Sequence, residues 1–194
     1  MSQTTLPPII LASASPRRYE LLKNLGLTFE VIPADVDESF TSEEIPYNLV
    51  ERLSAAKAEV VAQGHADALV IAADTVVVFR DDVLGKPKTP EENLAYLERL
   101  SGHTHEVYTG HTLRLGDKQV ARVSQTAVRF RKLSPEVIAR YAATGEGMDK
   151  AGGYAIQGYG SALVSEVRGC YFNVVGLSVP IVVELAQELG LELV

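Results

Sequence analysis

The sequence has a single cysteine, Cys170, so it cannot form a disulfide within the chain. Its first five residues lack the basic segment and the apolar core of a secretory signal. No uninterrupted apolar stretch approaches the roughly 20 residues that a membrane-spanning helix needs, since Asp74 interrupts the longest run, Leu69 to Phe79. We therefore expect a cytoplasmic protein without a membrane partner.

Basic residues are also few, and they form no continuous run. The chain has 194 residues, with 18 Lys and Arg against 25 Asp and Glu, and a net charge of −7. Non-specific nucleic-acid affinity comes mostly from neutralised phosphates, so this charge disfavours a nucleic-acid partner. Hydrophobic residues make up 46% of the chain, which supports one folded domain over residues 1–194. Any phosphate-binding chemistry must therefore be local.

The hydrophobic pattern alternates between short apolar runs and helical periods. Apolar runs predict strands at 9–12, 29–33 and 69–79, and turn residues at 116–118 predict a hairpin between 105–115 and 119–131. Capping signals and Pro predict helices that begin near residues 16, 46, 90, 135 and 179. We expect a loop over 145–160, a strand over 161–166 and irregular structure over 168–177. The pattern predicts an α/β fold with a mixed β-sheet and flanking helices.

Two serines and two arginines lie at the first predicted strand-to-helix junction: Ser13, Ser15, Arg17 and Arg18. A helix N-terminus carries partial positive charge, so arginines in the first turn are unfavourable there unless an anion is present. Hydroxyls, free N–H groups and guanidinium groups together favour a phosphate site. The alternative is a solvated turn whose arginines reach nearby carboxylates.

Four further charged residues stand out. Asp74 lies within an apolar run, where an ionised carboxylate needs a partner or a metal. Lys57 borders the apolar face of its helix, so a side chain that extends along the core is the simpler interpretation of that residue taken alone. Lys86 follows the Asp74 strand on a predicted turn, where a surface lysine is equally consistent with the sequence. Glu38 lies in an acidic loop, and such loops are often only solvated.

The glycine-rich segment around Gln157 is the last candidate region. Glycines allow a ligand to approach the backbone closely, and the amide of Gln157 offers both an acceptor and donors. A structural turn is the alternative. The histidines, including His103 and His105, show no metal-ligand spacing with a third ligand, so we interpret them as surface residues.

Six of these motifs, taken in order, resemble the Maf family of nucleoside triphosphate pyrophosphatases. The order and spacing match from Ile9 nearly to the C-terminus. The motifs are Ser13-Ala14-Ser15-Pro16-Arg17-Arg18, Val36-Asp37-Glu38, the helix with Lys57, Ala73-Asp74-Thr75-Val76-Val77, Gly85-Lys86-Pro87 and the segment from Asp149 to Gly158.

The resemblance implies a mixed α/β fold with two lobes around a cleft, related to the inosine triphosphate pyrophosphatases. It implies cleavage of a nucleoside triphosphate between the α and β phosphates, with release of pyrophosphate. It also implies a divalent metal, Mg²⁺ or Mn²⁺, and a homodimer.

Carried over residue by residue, the resemblance assigns Asp74 as general base and Lys57 and Lys86 as further catalytic residues. Our own hypothesis is that Glu38 or Asp74 binds the divalent metal together with phosphate oxygens of the substrate, with Asp74 as base, metal ligand or both. The Ile156-Gln157-Gly158 pattern resembles the branch that acts on dTTP and UTP, so these nucleotides or modified pyrimidine nucleotides are the expected substrates. The implied substrate-binding residues are Ser13, Arg17, Arg18, Thr75 and Gln157.

A second hypothesis is a nucleotide-binding regulator of cell division or septum formation that binds without turnover. Family members have been associated with septum control, so the resemblance allows this alternative. A pure binder would need the basic residues but no well-placed carboxylate. The presence of both Asp74 and Glu38 therefore favours an enzyme.

Overall fold

A computed structural model describes residues 6–41 and 43–194 of the chain. The contacts divide the chain into two compact units. Unit 1 contains the described residues up to Asp74, together with Thr109–Ser124 and Gly176–Val194. Unit 2 contains Thr75–Tyr108 and Gln125–Val175.

Strands and helices alternate along most of the chain. The strands are β1 (Ile9–Leu11), β2 (Glu30–Val31), β3 (Leu69–Phe79), β4 (Asp82–Leu84), β5 (Thr104–Leu115), β6 (Lys118–Phe130) and β7 (Val164–Arg168). The α-helices are α1 (Pro16–Lys23), α2 (Pro46–Ala62), α3 (Pro90–Leu100), α4 (Pro135–Ala142), α5 (Tyr171–Val175) and α6 (Val179–Glu188). Two 3₁₀ helices cover Ala151–Gly153 and Gly158–Leu163.

The strands form one mixed sheet in the order β2-β1-β3-β5-β6-β7, with β4 paired to β3. Strand β1 is parallel to both β2 and β3, and Ile10 lies opposite Val70. The pairs β3–β4 and β6–β7 are antiparallel. The predicted mixed α/β class is therefore confirmed.

Each unit has its own packing. In unit 1, small and β-branched residues in or next to β1, α2 and β3 form a buried cluster: Ile10, Ala12, Ala58, Val61, Ala68, Val70 and Ala72. In unit 2, Asn93 donates a hydrogen bond to the carbonyl of Gly153 at 2.7 Å. A Cβ at Gly147 would lie 1.9 Å from that same carbonyl oxygen, so the backbone needs glycine there.

Most predicted elements are confirmed, and the errors lie in three short segments. Residues 158–163 are a 3₁₀ helix and the strand begins at Val164, so the strand predicted over 161–166 was placed too early. Tyr171–Val175 is helical where we expected irregular structure. The short strand β4 was also missed, although it pairs directly with the end of β3.

The N-terminal five residues, on which the absence of a signal was predicted, lie outside the described residues. Within residues 6–41 and 43–194, no helix has the length and apolar character to cross a membrane.

Two histidines correct the surface interpretation, because His105 and His111 are buried while His103 is exposed. His105 contacts the hydroxyl of Tyr154 through Nε2 at 2.7 Å. His111 accepts the N–H of Ser178 at Nε2 at 2.8 Å, so its proton lies on Nδ1, near the carbonyl of Arg122. Burial lowers the pKa of each histidine to about 4.

These neutral histidines predict a loss of stability in mild acid. Below pH 6.5 the unfolded chain takes up protons on these histidines while the folded chain resists them, so the free energy of unfolding falls as the pH falls towards 4. In His111→Gln the site stays neutral. We expect the stability of the wild type relative to this variant to fall by about 2 kcal/mol between pH 7 and pH 5, measured by urea unfolding. A pH-independent difference would contradict this account of His111.

Candidate active site

The junction between β1 and α1 holds two of the predicted substrate-binding residues in a fixed arrangement. Ser15 caps the helix, although its hydroxyl accepts the N–H of Arg18 only at 3.5 Å. The buried hydroxyl of Ser13 accepts the N–H of Ser15 at 3.2 Å and Nη1 of Arg18 at 3.1 Å. Nε of Arg18 donates to the carbonyl of Gly176 at 2.7 Å. The guanidinium group is therefore held at the start of α1.

The charge of Arg18 is in the field of the predicted catalytic carboxylates. Burial lowers the pKa of Arg18, the positive charge of Arg17 adds to this, and the charges of Asp74 and Glu38 oppose it. The group stays protonated at neutral pH, as arginines do in proteins. Its charge is thus balanced partly within the protein, and the anion site remains a prediction.

The ammonium group of Lys57 joins the two predicted acidic residues. Nζ lies 2.6 Å from Oδ1 of Asp74 and 2.5 Å from Oε1 of Glu38. The side chains of Lys57 and Asp74 are only 10% and 11% exposed, whereas that of Glu38 is 53% exposed. The three residues form a charged cluster that is buried at one end and open to solvent at the other.

The burial of Lys57 contradicts the simpler interpretation, in which its side chain only extends along the core. Its side chain does not extend past the core to reach solvent, because the ammonium ends on Asp74 in the middle of β3. Its neighbours along α2 in the core include Leu49, Leu53 and Val61. A lysine among such residues needs a carboxylate partner, and β3 supplies one.

Arg52 is a site-organising residue that the sequence analysis missed. Its Nε and Nη2 donate to the two carboxylate oxygens of Glu44 at 2.8 and 2.9 Å, and Nη2 also donates to the carbonyl of Ser39 at 3.1 Å. Asp37 accepts the N–H of Ser39 at 2.9 Å. These bonds anchor the loop that carries Glu38 to helix α2.

Unit 2 contains three further predicted site residues. Thr75 is half-buried on β3, directly after Asp74. Lys86 is exposed in the segment after β4, and the carbonyl of the preceding Gly85 accepts the N–H of Gly152 at 3.1 Å. Gln157 is exposed in the glycine-rich segment, next to the buried Ile156.

The structure therefore brings five predicted residues together in unit 1 and places three in unit 2. Arg17, half-buried on the first turn of α1, is the ninth. The five residues in unit 1 are Ser13, Arg18, Glu38, Lys57 and Asp74.

The Maf-like protein family matches residues 8–189 of the chain. This chain belongs to the Maf family. It is 48% identical over 189 residues to a dTTP/UTP pyrophosphatase of Desulforamulus reducens, covering 96% of this chain and 99% of that one. It is 52% identical over 174 residues to a dTTP/UTP pyrophosphatase of Thermoanaerobacter sp. strain X514, covering 88% and 91%. A solved HAM1 protein from Coxiella burnetii is 17% identical, with a TM-score of 0.47 over 65% of this chain and 73% of that one.

The acidic residues of this Maf protein are compatible with a hard divalent cation. Oxygens of Asp74 and Glu38 already share one cationic neighbour, the ammonium of Lys57. In the described part of the chain, no three His, Cys, Asp or Glu residues are grouped closely enough to hold a metal. Mg²⁺ commonly takes one or two carboxylates and completes its shell with water and substrate phosphates, so a two-carboxylate set fits it.

The unequal exposure of the cluster predicts unequal effects on stability. Asp74→Asn removes a buried, charge-assisted partner of Lys57 and should lower the free energy of unfolding by about 2 kcal/mol. Glu38→Gln changes a half-exposed pair and should cost about 0.5 kcal/mol or less. Urea unfolding at pH 7 measures both variants against wild type. Equal losses would show that Lys57 does not depend more on Asp74 than on Glu38.

Proposed function

We propose that this chain hydrolyses dTTP and UTP to the monophosphate and pyrophosphate. The observation that carries the proposal is the cluster in which Lys57 joins Asp74 and Glu38, because it places a carboxylate capable of acting on water beside groups suited to phosphates. Relatives named dTTP/UTP pyrophosphatases, about half identical over nearly the whole chain, support this substrate choice.

The proposed mechanism assigns Asp74 to the attacking water. Its carboxylate orients the water, or takes its proton, as the oxygen attacks the α-phosphorus. Lys57 lies 2.6 Å from Oδ1, so it fixes the direction of that carboxylate. The bond from the α-phosphorus to the bridging oxygen then breaks, and the electron pair leaves with pyrophosphate.

The cations stabilise the charge that gathers on the leaving group. Arg18 is held by Ser13 and by the carbonyl of Gly176, so its guanidinium is fixed before substrate arrives. Fixed cations of this kind supply much of the rate enhancement in phosphoryl transfer. We assign the same role to Arg17, Lys57 and Lys86, and a contact to the substrate to Thr75.

Asp74 and Glu38 would hold the divalent cation together with oxygens of the substrate. When bound, Mg²⁺ or Mn²⁺ would neutralise phosphate charge and polarise the scissile bond. Arg52 keeps the Glu38 loop attached to α2, so Glu38 remains available as a ligand.

Gln157 is the residue that we propose recognises the nucleotide base. The edge of thymine or uracil presents an N–H donor between two carbonyl acceptors, and a carboxamide matches it with one acceptor and one donor. Gln157 is exposed beside the buried Ile156, so its backbone is anchored while its side chain remains accessible. We also propose the homodimer that the family resemblance implies, which sedimentation velocity would test.

A non-hydrolysing nucleotide-binding regulator of cell division is the second candidate. The cationic residues would suffice for that role. The carboxylate of Asp74, held in place by Lys57, favours the enzyme, because it can act on an attacking water and a binder does not require such a group.

A panel of triphosphates tests the activity. With Mg²⁺ or Mn²⁺, wild type should release pyrophosphate from dTTP and UTP, and EDTA should abolish the release. Asp74→Asn should bind dTTP but lose turnover by a factor on the order of a hundred or more. The variant's melting curve confirms that it is folded at the assay temperature. Tight dTTP binding by a wild type that cleaves no triphosphate would establish the regulator instead.

Gln157→Glu should lower the hydrolysis of dTTP and UTP more than the hydrolysis of GTP. A carboxylate would face carbonyl oxygens of the base and offer them no donor, so kcat/KM for dTTP should fall about tenfold to a hundredfold. Guanine, with two adjacent donors, should be affected less. Steady-state kinetics on dTTP, UTP, GTP and 7-methyl-GTP measure the ranking. An unchanged order of the four substrates would refute base reading by Gln157.

A further inference from the structure

The segment that carries Gln157 is fastened by one carboxylate that the sequence analysis did not single out. Oε1 of Glu146 accepts the N–H of Tyr159 at 3.0 Å, and Oε2 accepts the N–H of Gly160 at 2.9 Å. Both amides lie within three residues of Gln157. One side chain therefore satisfies two consecutive backbone donors beside the proposed base reader.

Gly158 shows how closely this carboxylate approaches the backbone. The residue adopts φ of +62°, a left-handed conformation that favours glycine. A Cβ at this position would lie 2.1 Å from Oε1 of Glu146. The residue that directly follows Gln157 thus adopts a conformation that favours glycine, and Glu146 leaves no room there for a side chain.

The backbone before Gln157 is also held by a hydrogen bond, at Ala155. Glu146 is in turn held by hydrogen bonds of its own backbone. The hydroxyl of Tyr141 accepts the N–H of Ala155 at 3.0 Å, and a Cβ at Gly160 would lie 1.9 Å from the carbonyl oxygen of Ala155. The N–H of Glu146 donates to Oγ1 of Thr144 at 3.1 Å, and its carbonyl accepts Nζ of Lys150 at 2.7 Å. Gln157 therefore lies in a narrow loop whose backbone is held on both sides.

We propose that Glu146 is a positioning residue for base selection and acts through Gln157; the inference rests on the proposed function. A glutamine amide matches the edge of a pyrimidine only when its backbone holds it in one place. Without the carboxylate, the N–H groups of Tyr159 and Gly160 lose their acceptor and the loop gains alternative conformations. The backbone position from which the side chain of Gln157 extends is then no longer fixed.

The ratio of kcat/KM for dTTP to kcat/KM for GTP separates this positioning role from a merely structural one. Loss of folded protein lowers kcat/KM for every nucleotide by the same factor, whereas loss of base reading lowers it for dTTP relative to GTP. Glu146→Ala should reduce the ratio of the two kcat/KM values about tenfold, mainly through KM for dTTP. Glu146→Gln keeps one acceptor oxygen and should give an intermediate ratio. Glu136→Gln, the same change at an exposed residue of α4 in unit 2, should leave the ratio unchanged.

A double-mutant cycle with Gln157→Ala tests whether Glu146 acts on base selection through Gln157. If Glu146 acts through Gln157, adding Glu146→Ala to Gln157→Ala should not change the ratio further. Amide hydrogen exchange by NMR supplies a readout independent of activity, because the Tyr159 and Gly160 amides should exchange faster in Glu146→Ala than in wild type.

The outcomes distinguish the inference from the function on which it rests. A ratio that shifts in Gln157→Ala but not in Glu146→Ala overturns the inference and leaves the proposed function intact. Additive effects in the double variant, or unchanged amide exchange, also overturn it. A wild type that cleaves no triphosphate, or a Gln157→Ala variant with wild-type preference, overturns the proposed substrate selection and the inference together.

Discussion

The contact of one buried ammonium with two carboxylates is the interaction on which the rest of the candidate site depends. Lys57 bridges Asp74 in the centre of β3 and Glu38 in a loop without regular structure. An unpaired Asp74 among the apolar residues of this strand would be costly, as would an unpaired Lys57. The same pair leaves Glu38 at the solvent-exposed end of the cluster, so the acidic loop is fastened at a second point besides Arg52.

Local signals predicted the elements of the fold well where they were strong. The apolar run of β3 gave its bounds, Leu69–Phe79, and Thr89 with Pro90 marked the start of α3. The signals failed over residues 158–175. The helical turns there begin at or just after glycines with positive φ, Gly158 and Gly169, and the hydrophobic period does not report such conformations.

The site could be predicted as a set of residues but not as a set of contacts. Asp74 could be predicted as a site residue because it is a charged residue within an apolar run. Its partner Lys57 is 17 positions earlier on another element, and helical spacing alone placed that lysine at the border of the core. The burial of His111 was not predicted for a related reason, because its ring accepts the N–H of Ser178, 67 positions later. Pairing across such distances is a property of the tertiary structure.

The two units hold their proposed functional groups by different physical means. In unit 1, Asp74 and Glu38 are held by opposite charge, and the strength of such contacts depends on burial and on salt. In unit 2, the backbone on either side of the neutral Gln157 is fixed by amide hydrogen bonds to Glu146 and Tyr141. Phosphate chemistry requires charges that are in place before the anion arrives, whereas discrimination between bases requires a donor and an acceptor at fixed positions. The glycines around Gln157 follow from the second requirement, since a carboxylate can bond consecutive amides only where side chains leave it room.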